Sequence, residues 1–62
     1  MTVDVVQLGE RETESGTEFL VGVVDRDGIV TSRLVIPDAP GLRERLATGQ
    51  LNESDLSRGR TQ

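Results

Sequence analysis

Large apolar side chains fall into three bursts along the chain, and polar stretches of different kinds separate them. The first burst, Val3 to Leu8, is short and rich in β-branched residues. As a regular strand it sets Val3 and Val5 on one face and Val6 and Leu8 on the other, so neither side is cleanly polar. From Gly9 to Gly16 there is no large apolar group, only Glu10, Arg11, Glu12, Thr13, Glu14 and Ser15 between two glycines. Such a stretch can bury nothing, which predicts a solvated loop, in part disordered.

Thr17 to Asp25 and Ile29 to Ile36 carry the densest runs of Val, Ile, Leu and Phe, and Asp25-Arg26-Asp27-Gly28 lies between them. An Asp at the start of a turn accepts hydrogen bonds from backbone NH groups further on, and a Gly tolerates the left-handed conformation that returns the chain to the ladder. A β-hairpin is therefore expected here, in one of two registers. With a four-residue loop, Val24 faces Ile29, and Phe19, Val21 and Val23 share a face with Val30, Leu34 and Ile36 around Ser32. With a three-residue loop and Gly28 as a bulge, Asp25 faces Ile29, and Leu20 and Val24 join Val30, Leu34 and Ile36. One residue of slip exchanges the faces. In either case the second face keeps several aliphatics, in the first register Leu20, Val24, Ile29 and Val35, which is more than a solvated sheet face carries.

Pro37 ends the strand because it cannot donate to the ladder, and Asp38 stands where an N-cap would. Leu42 and Leu46 are one helical turn apart and Gly49 is a stop signal, which predicts a helix over Ala39–Thr48. Its apolar stripe is narrow enough to cover one face of a sheet and leave the other bare. Beyond it, Asn52 followed by Asp55 offers one more capped turn, with Leu56 as a lone anchor. The pattern predicts an α+β domain over residues 1–50, three antiparallel strands with one C-terminal helix packed on a face, followed by a loosely ordered tail over residues 51–62.

Size turns this pattern into a prediction about association. A chain of 62 residues buries only about 60% of the surface it exposes when unfolded. Small domains make up the deficit with disulfides, a metal or a second subunit, and this one has no Cys and no His. That absence also closes zinc sites and thiol or imidazole catalysis. Association is the remedy left, and a homodimer is expected, with Leu20, Val24, Ile29 and Val35 as its interface.

Charge is unevenly placed. Residues 1–31 hold seven acidic groups against Arg11 and Arg26, whereas residues 32–62 hold four against five Arg, for a total of −4. An acidic chain grips phosphate backbones poorly, so nucleic acid is a disfavoured partner. No apolar run approaches the eighteen or so residues of a membrane span, and a cytoplasmic, membrane-free protein is expected.

Few residues invite specific chemistry. Asp25, Asp27 and Gly28 resemble a fragment of a calcium loop, yet no Glu follows at the spacing that loop requires, and turn formation accounts for all three. The acidic segment with Glu10, Glu12, Glu14 and Glu18 has the charge to meet a basic partner or a metal, but alternating exposed Glu reads as a solvated loop. A carboxylate pair for acid–base work needs one member in an apolar cleft, for which so short a chain has little room. No catalytic, cofactor-binding or metal-binding residue is assigned, and a non-enzymatic protein is expected. Phe19, the single aromatic residue, suits a core better than a base-stacking platform. Arg33 interrupts an aliphatic strand and is placed to pair with Glu18 or to meet a partner. Together with Arg43 and Arg45 it forms the basic cluster expected to contact an acidic protein or a phosphate.

Two resemblances attach to these segments. Phe19 to Gly41, a hairpin running into Pro37-Asp38-Ala39-Pro40-Gly41, is similar to the sheet of HicB-like antitoxins. Arg33-Leu34-Val35-Ile36-Pro37 followed by Leu42-Arg43-Glu44-Arg45-Leu46 resembles the strand-to-helix step of AbrB-like swapped-hairpin DNA-binding proteins. Both imply a dimeric regulatory setting. The sequence thus predicts a homodimeric module that binds another protein, with a dimeric DNA-binding repressor or antitoxin using Arg33, Arg43 and Arg45 as the alternative.

Overall fold

The computed structural model describes residues 1–62 and replaces the expected three-stranded sheet and single helix with five antiparallel strands and two short helices. The strands are β1 (Thr2–Thr13), β2 (Gly16–Val24), β3 (Val30–Pro37), β4 (Gln50–Asn52) and β5 (Arg60–Thr61). The helices are α1 (Leu42–Thr48) and α2 (Glu53–Ser57). Across the sheet the order is β4-β1-β2-β3-β5.

The first correction concerns the acidic segment expected to be a loop. It forms the outer half of a hairpin, because Arg11 and Glu12 find partners across the strands in place of a core. Arg11 sits opposite Glu18 and Glu12 opposite Thr17, with Arg11 Nε donating to Glu18 Oε1 at 3.1 Å and the Thr17 hydroxyl to Glu12 Oε1 at 2.9 Å. Opposed charges and hydroxyls stabilise antiparallel pairs without burying apolar area. Only Glu14 and Ser15 remain in the turn, where the Thr13 hydroxyl bonds the Gly16 carbonyl at 2.8 Å. Leu8 is a bulge between the Gln7–Val21 and Gly9–Leu20 pairs.

The central hairpin opens in one of the two anticipated registers and leaves it after a single pair. Asp25 N–H donates to the Ile29 carbonyl and Gly28 N–H to the Asp25 carbonyl, each at 3.0 Å, and Gly28 has φ +80°. Asp25 Oδ1 accepts from the NH groups of Asp27 at 2.8 Å and Ile29 at 3.0 Å. This is the three-residue loop with a Gly28 bulge, and it pairs Val24 with Val30. Thr31 then bulges, its hydroxyl donating to the Val23 carbonyl at 3.2 Å, and the ladder resumes with Val23 opposite Ser32. Beyond that step Phe19, Val21 and Val23 share a face with Ser32, Leu34 and Ile36, the grouping expected of the four-residue loop, although each is paired two residues further along β3 than that loop would set. Val30 is turned to the opposite face beside Val24 and Leu20. Ile29 stays in the turn, 61% exposed, and so belongs to neither face.

After β3 the chain differs from expectation again. The helix begins at Leu42, not Ala39. A residue preceding proline is disfavoured in the helical region, which removes Ala39, and Gly41 has φ +76°. Asp38 does not cap it; its carboxylate accepts from the Ala39 NH at 2.8 Å. Gly49 ends α1 as the sequence predicts, with φ +82° and its NH on the carbonyl of Leu46. The segment expected to be a loose tail supplies β4, α2 and β5. β4 pairs with Thr2–Asp4 at one edge and β5 with Leu34–Val35 at the other.

Both helices lie on one side of the sheet. The core there comprises Val5, Phe19, Val21, Ile36, Leu42, Leu46 and Leu51, with Val3, Val23, Leu34, Ala39 and Leu56 packed around it. Gly59, just past α2, lies against Ile36 and Leu34. The other side carries no helix. Neither helix is long and apolar enough to cross a membrane.

Candidate interaction surface

The three arginines expected to form one cluster are held apart. Arg45 projects from α1 to Asp55 on α2, with Nε on Oδ2 at 2.7 Å and Nη2 on Oδ1 at 2.6 Å. Arg58 adds a third contact to Oδ1 at 3.0 Å. Asp55 is 1% exposed and closes a capping box, its NH on the Asn52 side chain at 2.9 Å and its carboxylate facing the Asn52 NH. The Arg45 guanidinium, more than any other neighbour, holds this carboxyl below the usual carboxylate range, against the opposing effect of burial. Arg45 is raised in turn by the same pairing. Its Nη1 packs so closely on Gly41 that a Cβ there would lie 2.6 Å away. Arg45 is thus the tie between two helices, a role that the Asn52–Asp55 spacing only half announces because its partner lies ten residues distant.

Arg43 lies over the ring of Phe19, 4.9 Å from its centroid, with Glu10 at 3.5 Å and Asp38 at 4.0 Å. It is exposed, and its stem and charge cover the face of the buried aromatic. Arg33 stands opposite Gly22, on the side of the sheet without helices, and takes part in none of the ion pairs of the chain. Glu18, its anticipated partner, is engaged elsewhere. Arg60 Nη2 donates to Glu18 Oε2 at 2.6 Å and Arg11 to Oε1. Those bonds, that of Arg60 first, hold its carboxyl below the ordinary value although desolvation pulls the other way.

This helix-free side is the surface most in need of explanation. By strand alternation it gathers Val6, Leu20, Val24, Val30 and Val35, and the Leu8 bulge points onto it. Leu8 and Val30 converge over Gly22, where a Cβ would meet each at 3.1 Å. Val6 is 40% and Leu8 43% exposed, and Leu20, Val24, Val30 and Val35 are half-buried. A hollow of about 180 Å³ opens between Gly9, Leu20 and Val35. Of the four interface residues expected from sequence, Leu20, Val24 and Val35 lie together here and Ile29 does not. Val6, Leu8 and Val30 complete the patch. The first two were legible as one side of β1 and Val30 as the companion of Leu20 and Val24 in the three-residue register, whereas Val35 shares a face with Val30 only because Thr31 bulges. The Arg11–Glu18–Arg60 group borders one end, and Asp4 and Arg33 stand on either side of β2.

Comparison with known proteins brings no family model, no curated protein and no solved structure that matches the chain. The two family resemblances of the sequence therefore gain no support, and the surface itself has to carry the functional reading.

Proposed function

We propose that the chain is a non-enzymatic binding module that works as a homodimer, associating through the helix-free face of its sheet. The observation that carries this reading is the continuous aliphatic surface of Val6, Leu8, Leu20, Val24, Val30 and Val35 on the side that neither helix covers. Contiguous apolar area of this kind, bordered by charged groups, is typical of protein contact surfaces. Dimerisation leaves the helix side, with Arg43 exposed, free for a different protein. The non-enzymatic part draws on electrostatics. Glu18 and Asp55, the carboxylates most removed from water, are held as anions by two arginines each. A general acid needs the opposite shift.

The test is sedimentation velocity from low micromolar to submillimolar concentration, with Val35→Glu as the variant. Wild-type protein should sediment as a dimer, and the variant as a monomer with an unchanged far-UV circular dichroism spectrum. A wild-type chain that stays a well-folded monomer over the whole range defeats the proposal.

A further inference from the structure

We infer that the two copies stack their sheets about a two-fold axis running along β2, so that Asp4 of each faces Arg33 of the other. This rests on the dimeric reading above and specifies its geometry. The first ground is a pair of unmatched charges. Arg33 makes no ion pair, and Asp4 is met only by the Gln50 side-chain amide at 3.2 Å. Asp4 adjoins Val5, which pairs with Val23, and so stands level with Val24; Arg33 is opposite Gly22, one step further along the same face. The two charges flank β2 from opposite sides, one strand away in each direction, with Gly22 and Val24 between them.

That placement is self-complementary under one symmetry operation. Stable homodimers are isologous, so the patch must match its own image. A two-fold axis along β2 lays β2 on β2 and each β1 over the other copy's β3, which carries the acid of one copy to the base of the other. The remaining offset along the strands is a two-residue step, roughly 7 Å, and facing sheets pack about 10 Å apart, both within the combined span of an Asp and an Arg side chain. An axis at right angles to the strands lays β3 on β3, which sets Arg33 against aliphatic side chains or against its own copy. A desolvated guanidinium without a carboxylate is strongly unfavourable. Aligned packing is also the ordinary mode of stacked twisted sheets. A partner of different sequence has no need of this internal match between the two sides of β2.

The experiment is sedimentation equilibrium at low salt on the full chain, as wild type, Asp4→Arg, Arg33→Asp and the double exchange. Both side chains are exposed in the single copy, so the fold tolerates each change. Each single reversal should raise the dimer dissociation constant on the order of tenfold or more, because symmetry repeats the like-charge contact twice. The double exchange should restore it to near the wild-type value. A dimer indifferent to the single reversals, or weakened by them without recovery in the double variant, overturns this geometry and leaves the dimeric reading in place. A wild-type monomer overturns both.

Discussion

The two faces of the sheet are built from the same residue types and differ in what lies on them. On the inner face Val5, Phe19, Val21 and Ile36 are sealed by Leu42, Leu46 and Leu51, and all seven are buried. On the outer face Val6, Leu8, Leu20, Val24, Val30 and Val35 form a surface of comparable chemistry with no element above it. A chain this small has few elements to spend, and the short segment after Gly49 is used to close the first face twice over, through β4 and α2. Apolarity alone therefore does not say where the core of this protein is. The deciding factor is which face Leu42, Leu46 and Leu56 pack against, and the Arg45–Asp55 clasp ties the two helices together there.

The largest expected effect lies on the sealed face. Domains of this length are stable by about 3–9 kcal/mol, and Phe19→Ala should cost about 3–5 kcal/mol, a third or more of that stability, read as a large fall in the urea midpoint by circular dichroism. The outer-face substitution Val35→Glu should instead leave the fold intact and abolish association. If both variants unfold alike, the contrast between the faces is lost.

Next in size is the clasp. Asp55→Ala leaves Arg45 without its bidentate partner and removes the capping box of α2, at a cost of about 3 kcal/mol, measurable by urea titration. Protonation should act in the same direction. The folded-state pKa values of Asp55 and Glu18 lie below their ordinary values. Their contribution is therefore complete above the unfolded pKa of about 4 and disappears as pH falls through the lower folded values. The urea midpoint should be flat near neutrality and drop below about pH 4, with a shallower drop in Asp55→Ala. A midpoint that rises on acidification would contradict the assignment. The smallest effect is that of Arg43→Ala, which uncovers the face of Phe19 and breaks exposed ion pairs, for a loss of about 1 kcal/mol or less in the same titration. A loss as large as that of Asp55→Ala would mean that Arg43 belongs to the clasp.

Much of this contrast is legible in the residues. The central hairpin, its Asp25–Gly28 turn, the Gly49 stop, the Asn52–Asp55 cap and the surplus of aliphatics on a second face all follow from local chemistry. Other features are invisible to the same reasoning for identifiable causes. The Arg11–Glu18 and Glu12–Thr17 pairs build strand from residues that a hydrophobic pattern assigns to loop, because their stabilisation comes from the opposite strand. The Thr31 bulge adds one residue to the ladder after the turn, so no single register read from the loop length could be right for both Val30 and Ile36. Arg45 looks like a free surface charge until α2 folds back to bring Asp55 against it.

The sequence by itself determined the Asp25–Gly28 turn, the Gly49 stop, the Asn52–Asp55 cap and the excess of apolar area, since these depend on neighbours a few residues apart and on composition. Only the tertiary structure decided the number of strands, the fate of residues 51–62, the separation of Arg33 from Arg43 and Arg45, and which face stays open. Those depend on contacts between distant segments, above all Thr2–Asp4 with Gln50–Asn52 and Arg45 with Asp55, whose free energy no local pattern records.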